Sequence, residues 1–249
     1  MSKELDEDEK IRYNRQIMIP GIGIKGQRKL KNSKVFIAGA GGLGSPISIY
    51  LAVAGVGHIT IVDKDKVELS NLNRQILHWN EDINKAKSIS AKEKLKSINP
   101  SITIDTKSVQ IKEDNVFDLI DEASLILDAM DNFPTRFILN NASLKLEIPF
   151  IHGGVWGFEG RVTTIIPYKT ACLRCFTKIT PPKETPPVIG ITPGIIGMIE
   201  ATEAIKYITG FGKLLENRLL VFDGELLKFH EIVIKKDPKC QECSTNDIA

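Results

Sequence analysis

The chain has 249 residues, of which 42% are hydrophobic and 26% are charged, a composition typical of a globular protein with a large buried core. Its formal net charge of +2, with basic residues spread among acidic ones, excludes the strongly basic surface typical of nucleic-acid-binding proteins. No apolar run approaches about 18 residues, and residues 1–10 are acidic. We therefore predict neither a membrane span nor a signal peptide, and we expect a cytoplasmic protein.

A helical region is predicted before the first strand. Residues 4–19 begin acidic and become amphipathic, which favours a helix that is broken at residues 20–23. Residues 26–31 favour a second, shorter helix that leads into the first strand. Taken alone, this region shows only an amphipathic surface that carries arginine side chains.

Residues 35–65 predict a nucleotide-binding β-α-β unit. Residues 35–38 form an apolar run typical of a buried parallel strand, and Gly39, Gly41 and Gly44 follow with G-x-G-x-x-G spacing. Apolar residues at three- and four-residue steps predict a helix over 43–54, whose N-terminus would face phosphate groups. A second strand over 59–62 ends at Asp63, where a carboxylate can accept ribose hydroxyls. The unit indicates an adenine nucleotide but does not say which one.

The remaining elements alternate between strand and helix at first and then change their pattern. A lysine-rich helix is expected over 82–97, strands over 102–105 and 124–127, and a helix over 134–146. Later strands are expected over 149–152, 161–166, 219–223 and 229–234, with a helix over 192–210. Because these strands lack a crossover helix between each pair, we predict an α/β fold in one domain, 1–249. A Rossmann-like parallel half (about 1–150) would continue into a mixed, partly antiparallel sheet (about 151–249).

Three charged residues favour a triphosphate over a dinucleotide. Arg74 follows the second strand and Lys87 lies near the next helix, so both are expected at the carboxyl ends of the strands. A triphosphate attacked at its α-phosphorus needs its growing charge neutralised. Lys87 considered alone, among neighbouring lysines, fits a solvated helix residue better. Asp131 fits either a Mg²⁺ ligand or the N-cap of the helix that Pro134 opens.

The four cysteines form two C-x-x-C pairs, Cys172/Cys175 and Cys240/Cys243. Two such pairs are the ligand pattern of a Cys₄ zinc site. We expect a structural site, because four thiolates fill the tetrahedron, and the metal would fasten the C-terminal segment to the body of the domain. The histidines, which are His58, His78, His152 and His230, show no ligand spacing and are expected at the surface or as capping residues.

Further motifs occur in a fixed order along the chain. Arg-Tyr-Asn-Arg-Gln occupies 12–16, the glycine motif 39–44, Asp-Lys-Asp 63–65 and Ser-Asn-Leu-Asn-Arg-Gln 70–75. Lys87, Asp131-Asn132, Glu159-Gly160, both cysteine pairs and Glu-Ala-Ile-Lys at 203–206 complete the set. In this ordered set, which covers about residues 11–243, the chain resembles the ThiF/MoeB/HesA family of ubiquitin-activating-enzyme-like adenylyltransferases.

The resemblance implies a single adenylation domain that uses ATP to activate a small ubiquitin-like sulfur-carrier protein ending in Gly-Gly. The carrier's terminal carboxylate would attack the α-phosphorus, giving an acyl-adenylate and pyrophosphate. The implied catalytic residues are Arg15, Arg74, Lys87 and Asp131, with Arg15 supplied by the second subunit of a homodimer. The implied nucleotide contacts are Gly39, Gly41, Gly42, Gly44, Asp63, Asp65, Ser70, Asn71, Arg74, Lys87, Asp131 and Asn132. The implied cofactors are structural Zn²⁺ and Mg²⁺, the latter at Asp131.

One departure from many relatives concerns residues 185–193, which lack the cysteine those relatives carry there. No rhodanese-like domain is recognised either, so we expect a separate protein to donate sulfur. The sequence leaves carriers of molybdopterin, thiamin, tRNA-thiolation and cysteine-biosynthesis pathways open. An NAD(P)-dependent oxidoreductase shares the glycine motif but leaves Arg15, Arg74 and Asp131 unexplained. A non-catalytic scaffold of the same fold would not need the intact ATP residues.

Overall fold

A computed structural model of the chain describes residues 4–177 and 187–244. The strands in this part are β1 (Lys34–Ala38), β2 (His58–Val62), β3 (Thr103–Lys107), β4 (Leu125–Asp128), β5 (Phe150–Trp156), β6 (Glu159–Ile165), β7 (Arg218–Asp223) and β8 (Lys228–Val233). They form one sheet in the order β3-β2-β1-β4-β5-β6-β7-β8. Each strand overlaps one that the sequence predicts.

The helices of the described residues lie on both sides of this sheet. They are α1 (Glu7–Arg12), α2 (Asn14–Ile17), α3 (Gly23–Asn32), α4 (Gly44–Ala54), α5 (Lys87–Ile98), α6 (Val116–Ile120), α7 (Phe133–Leu146), α8 (Leu173–Phe176) and α9 (Ile191–Thr209). Helix α9 ends at Gly210, whose left-handed backbone caps it. The short helices α6 and α8 have no counterpart among the predicted elements. No helix in the described residues is long and apolar enough to cross a membrane.

The first five strands in chain order pair in parallel, so the parallel part of the sheet extends to β5, a strand that the sequence analysis groups with the mixed half. Strand β1 lies between β2 and β4, and its last residue, Ala38, is in register with both Val62 and Asp128. In the next pair Asp128 is in register with His152 of β5. This register brings the carboxyl ends of four strands to one edge of the sheet, which is where open α/β sheets bind ligands.

The second half of the sheet is antiparallel. Strand β5 pairs with β6, β6 with β7 and β7 with β8, all in antiparallel register. The predicted Rossmann-like half that continues into a mixed sheet is therefore confirmed. Residues 178–186, which are part of the predicted proline-rich segment, lie outside the described residues.

Both faces of the central parallel strands β1 and β4 are buried, which explains their apolar sequence, whereas the edge strand β3 exposes Thr103, Asp105 and Lys107. In β1, Val35 and Ile37 join the core that α4 and α9 cover, whereas Phe36 and Ala38 join the core that α7 covers. Side chains of one strand alternate between faces, so a strand with a helical layer on each side has no polar face.

Helix α5 begins later than the sequence predicts. The pattern favours a helix from Asp82, but residues Asn80–Asp82 form a 3₁₀ turn and α5 begins at Lys87. Between them Asn84 adopts a left-handed backbone with φ 73°, and its N–H donates to the carbonyl of Val67 at 2.9 Å. Asparagine tolerates this conformation, which cannot continue a right-handed helix.

Glu200 of α9 is a charged residue type in a fully buried position. Neither of its carboxyl oxygens has a hydrogen-bond partner among the described residues. A Cβ at Gly153 would lie 1.9 Å from Oε1 of Glu200, so only glycine fits there. Burial, and then the nearby Asp128 carboxylate, raise the pKa of Glu200 well above its ordinary value, and Arg136 opposes this shift. The fold therefore favours the neutral carboxylic acid.

We predict that Glu200→Gln makes stability less dependent on pH. The unfolded chain ionises Glu200 near pH 4.5, whereas the folded chain keeps the proton to a higher pH. The wild-type free energy of unfolding should therefore fall as pH rises from that value through the raised pKa, by at most about 1.4 kcal/mol per pH unit. Urea denaturation at several pH values should show the variant gaining stability relative to wild type as pH rises.

Glu203→Gln on the same helix is the matched control. Oε2 of Glu203 accepts hydrogen bonds from Oγ1 of Thr164 at 2.6 Å and from the backbone N–H of Leu215 at 2.7 Å. Replacing this satisfied carboxylate should cost roughly 1–3 kcal/mol. Equal destabilisation of the Glu200 variant at all pH values would contradict the prediction.

Candidate nucleotide site and cysteine cluster

A cleft of about 1370 Å³ opens at the carboxyl ends of the parallel strands. Among the residues that line it are Gly39, Gly41, Gly42, Asp63, Asp65, Arg74, Lys87, Asp131 and Asn132. The strand register explains this assembly, because the segments that follow β1, β2 and β4 all begin at this edge. The structure thus brings together most of the residues that the sequence singles out as nucleotide contacts.

The glycines of the turn after β1 have two different functions. Gly39 has φ +106°, and a Cβ there would lie 2.7 Å from the carbonyl oxygen of Ala129. A Cβ at Gly44 would lie 2.1 Å from the carbonyl oxygen of Gly39. These two glycines therefore permit the tight turn and the close packing of α4. Gly41 and Gly42 line the cleft itself, where the absence of side chains lets a ligand approach the backbone.

The Asp63 carboxylate connects the ends of the first two strands. Its Oδ2 accepts the backbone N–H of Ala40 at 2.8 Å, and its Oδ1 accepts the N–H of Asp65 at 2.8 Å. Each carboxylate oxygen has a second lone pair, so Asp63 can still accept hydroxyl donors from the cleft. Its position fits the predicted ribose contact.

Lys87 and Arg74 place positive charge beside the glycine turn. Lys87 is only 7% exposed, and its Nζ lies 3.7 Å from Oδ2 of Asp65. The interpretation of Lys87 as a solvated helix residue is therefore wrong, because the residue begins α5 facing the cleft. Arg74 is held by hydrogen bonds from its Nη1 to the carbonyl of Ser70 at 2.9 Å and to Oδ1 of Asn73 at 3.0 Å.

The sequence left two roles open for Asp131, a Mg²⁺ ligand or the N-cap of α7, and the structure gives the N-cap to Asn132. Asn132 is the N-cap of α7, because its Oδ1 accepts the N–H of Thr135 at 3.0 Å. The interpretation of Asp131 as that cap is therefore wrong. Asp131 is exposed and lines the cleft, and the side-chain amide of Asn132 lies 3.3 Å from its Oδ1. A carboxylate in this position has the oxygen chemistry that Mg²⁺ prefers.

Some of the predicted nucleotide contacts do not line the cleft that the described residues form. Asn71 is buried and its Oδ1 accepts the N–H of Glu68 at 3.1 Å. Ser70 is exposed beside it, and Gly44 is buried in the turn. Arg15 is exposed on α2 and does not line the cleft of its own chain.

Sequence reasoning missed a buried polar group beneath the Asp131 turn. Oδ2 of Asp128 lies 2.6 Å from Nδ1 of His152 and 3.3 Å from Nε of Arg136. His152 is buried, so the expectation of a surface or capping histidine is wrong here. Burial lowers the pKa of His152, an effect that the Asp128 carboxylate opposes. The available signal was an aspartate at the end of a strand otherwise made of apolar residues.

This polar group fixes the backbone that carries Asp131. Oδ1 of Asp128 accepts the N–H of Met130 at 2.9 Å, and Nη2 of Arg136 donates to the carbonyl of Met130 at 2.6 Å. The same nitrogen donates to the carbonyl of Gly153 at 3.1 Å. Both polar groups of Met130 are thus held, and the direction of the next residue, Asp131, is set.

The remaining histidines differ from one another. His58 is partly exposed and its Nε2 lies 2.7 Å from Oδ2 of Asp105, and His230 is exposed, so both fit the predicted surface positions. His78 is only 3% exposed, so the expectation of a surface or capping residue is wrong for this histidine as well.

The four cysteines converge although their pairs are far apart in sequence. Cys172 and Cys175 lie at the start of α8 and within it, and Cys240 and Cys243 lie in the C-terminal segment. Their Sγ atoms all lie within 4.8 Å of one another, with separations of 3.6 Å for Cys172–Cys240 and 3.4 Å for Cys175–Cys243. Four thiolates about 2.3 Å from zinc in a tetrahedron would be about 3.8 Å apart. The cluster therefore fits a tetrahedral metal ion.

The segment that carries Cys240 and Cys243 is also held by polar contacts. Nε of Arg174 lies 3.0 Å from Oε1 of Glu242, and Nδ2 of Asn140 lies 2.5 Å from its Oε2. These contacts connect the segment that carries Cys240 and Cys243 to α8 and α7.

Comparison with known proteins is consistent with this site. The ThiF family matches residues 13–243. The chain is 36% identical over 248 residues to the sulfur carrier protein adenylyltransferase of Thermus thermophilus, covering 95% of this chain and 92% of that protein. It is 36% identical over 254 residues to the SAMP-activating enzyme E1 of Haloferax volcanii, covering 100% of this chain and 94% of that protein.

Solved structures give the same result for the fold. The crystal structure of Escherichia coli MccB with MccA-N7isoASN matches with a TM-score of 0.86 and 25% identity, covering 95% of this chain and 75% of that chain. The family match spans both the nucleotide cleft and the cysteine cluster. The chain therefore belongs to the ThiF family.

Proposed function

We propose that this protein uses ATP to adenylate the C-terminal glycine carboxylate of a small ubiquitin-like sulfur-carrier protein and releases pyrophosphate. The observation that carries the proposal is the placement of Arg74, Lys87 and Asp131 around the glycine turn in one cleft. The names of the two relatives, a sulfur carrier protein adenylyltransferase and a SAMP-activating enzyme, support the choice of substrate. The specific carrier and its pathway stay open.

In this proposal ATP lies along the edge of the parallel strands. The ribose hydroxyls meet the Asp63 carboxylate, and the phosphates approach the backbone of Gly41 and Gly42. Arg74 and Lys87 neutralise the charge of the triphosphate, which grows when the α-phosphorus is attacked. Mg²⁺, held by Asp131 and phosphate oxygens, would add further positive charge and orient the leaving pyrophosphate.

The chemical step needs little from the protein beyond position and charge. One carboxylate oxygen of the carrier forms a bond to the α-phosphorus, and the bond from that phosphorus to the bridging oxygen of pyrophosphate breaks. The nucleophile is already an anion at neutral pH, so no general base is required. Catalysis therefore relies on orientation and electrostatic stabilisation, which suits a site built from arginine, lysine and a carboxylate.

The enzyme acts as a homodimer in which Arg15 of each subunit serves the partner's ATP. Arg15 is exposed on α2, and nearby exposed apolar side chains include Ile11, Met18, Ile19 and Ile24. Several exposed apolar side chains in one segment of the chain are consistent with a protein interface. Burying these side chains against a second copy would bring Arg15 near a cleft other than that of its own chain.

The cysteine cluster holds a structural zinc ion and leaves no thiol for carrier chemistry. The chain has four cysteines, and all four belong to the cluster. A zinc-bound thiolate shares its electrons with the metal and is a poor nucleophile. The product is therefore the acyl-adenylate, and a separate sulfur donor consumes it.

We predict that Asp131→Ala reduces ATP–pyrophosphate exchange by roughly 10²–10³-fold, because the variant loses the Mg²⁺ ligand. Exchange should require Mg²⁺ and a carrier that ends in Gly-Gly, and removing the two glycines should abolish it. Asp118→Ala, an exposed aspartate on α6 outside the cleft lining, is the matched control and should exchange like wild type. Near-wild-type exchange by Asp131→Ala would refute the magnesium assignment. The wild-type protein should not bind NAD, as an NAD-dependent oxidoreductase would.

We predict one zinc ion per chain, measured by elemental analysis of protein purified without chelator. Cys240→Ser should lose the metal and melt at a lower temperature, because the metal closes the long loop between the cysteine pairs. Lys239→Ala changes the exposed neighbouring residue and should keep both metal and melting temperature. Metal-free wild-type protein, or an unchanged melting temperature for Cys240→Ser, would contradict this assignment.

We predict that mixing Arg15→Ala with Asp131→Ala protein restores exchange activity. If Arg15 acts on the partner's ATP, each mixed dimer has one complete site and one site that lacks both groups. Random subunit exchange should therefore recover about a quarter of wild-type activity. Two differently tagged Asp131→Ala preparations, mixed in the same way, control for exchange and should stay inactive. No recovery after demonstrated exchange would exclude action in trans.

A further inference from the structure

His78 contacts the glycine turn but has no role in the proposed reaction. Both ring nitrogens are used: Nε2 lies 2.8 Å from the carbonyl oxygen of Ala40, and Nδ1 lies 2.9 Å from Oγ of Ser90. The ring thus connects α5 to the backbone between the first two glycines of the motif. Ala40 itself is buried.

The partners of His78 determine which nitrogen carries the proton. A carbonyl oxygen only accepts, so Nε2 must donate to Ala40, and Nδ1 of the neutral ring accepts the hydroxyl proton of Ser90. Nζ of Lys94 lies 3.3 Å from Oγ of Ser90 and also forms an ion pair with the buried Asp82. His78, Ser90, Lys94 and Asp82 therefore form one connected polar network.

This hydrogen bond sets the direction of one peptide group in the turn. The carbonyl of Ala40 and the N–H of Gly41 belong to the same planar trans peptide, so they point to opposite sides. Because His78 holds the carbonyl toward the protein interior, the N–H of Gly41 points toward the cleft that Gly41 lines. Asp63 holds the N–H of Ala40 and so fixes the preceding peptide group as well.

The next peptide group of the turn is held separately, because the carbonyl of Gly41 accepts the N–H of Ser45 at 2.9 Å and its Oγ at 2.8 Å. The carbonyl of the Ala40–Gly41 peptide, by contrast, is held by His78. Glycine has more accessible backbone conformations than any other residue. The N–H groups of Gly41 and Gly42 donate to no residue in the described ranges, so both are available to a ligand.

We infer that His78 is a positioning residue for the triphosphate: it orients the Ala40–Gly41 peptide so that the N–H of Gly41 donates to an ATP phosphate. The inference rests on the proposed use of ATP. A purely structural role of His78 would affect binding of the whole nucleotide, whereas this positioning role affects only binding of the phosphate groups.

The test compares two amide substitutions of different length. In His78→Gln, the amide nitrogen occupies the place of Nε2 and can still donate to Ala40. In His78→Asn, the shorter amide reaches only the place of Nδ1. His58→Asn, at the partly exposed histidine of β2, controls for loss of an imidazole elsewhere. Binding of Mg²⁺-ATP and of adenosine is measured by calorimetry on the folded proteins, with melting temperatures recorded in parallel.

We expect His78→Asn to raise the Kd for ATP at least about tenfold, the loss of one charge-assisted hydrogen bond. His78→Gln and His58→Asn should stay within about threefold of wild type, and adenosine binding should be the same in all four proteins. An unchanged ATP Kd in His78→Asn, or an equal loss for ATP and adenosine, would overturn the inference alone. Absence of ATP binding by the wild-type chain would overturn the proposed function as well.

Discussion

Parallel pairing of β1 with both β2 and β4 is the constraint on which the site depends. The register places Ala38 beside Val62 and Asp128, so three chain segments leave the sheet at one edge. The glycine turn follows β1, Asp63 follows β2 and Asp131 follows β4. Hydrogen bonding between parallel strands thus brings residues nearly 100 positions apart together in one cleft. A shift of one register step would separate the carboxylate of Asp63 from the N–H of Ala40.

Buried polar groups beneath this edge hold its loops in place. Asp128 and Arg136 fix both polar groups of Met130, and Asp63 and His78 do the same for Ala40. In each case a buried or partly buried side chain satisfies a backbone group that could otherwise rotate. Such preorganisation matters for a reaction that depends on charge and orientation, because groups already in place need not reorganise during the reaction. The side chains that position these loops come from strand ends, a loop and α7.

The C-terminal cysteine pair connects the last described segment of the chain to the rest of the fold. The antiparallel half of the sheet ends in an exposed edge strand, β8. Convergence of Cys240 and Cys243 with Cys172 and Cys175 fastens this last segment to α8, and Glu242 adds polar contacts to α7 and α8. The same four cysteines also belong to the hydrophobic core that α7 covers, so this segment packs against the body of the fold.

The sequence by itself determined the β-α-β unit, the mixed sheet, the family and the cysteine pairs, because strand periodicity, glycine spacing and C-x-x-C motifs are local patterns. Most of the nucleotide contacts that the family resemblance implies line the cleft. Only the tertiary structure decided that Lys87 is buried, that Asn132 caps α7 and leaves Asp131 free, and that His78 and His152 lie inside. These outcomes depend on contacts between residues far apart in the chain, and an isolated histidine or lysine has the same local sequence pattern whether it is solvated or buried. The physical reason is that burial and hydrogen-bond partners are set by the packing of whole elements, which short-range periodicity does not encode.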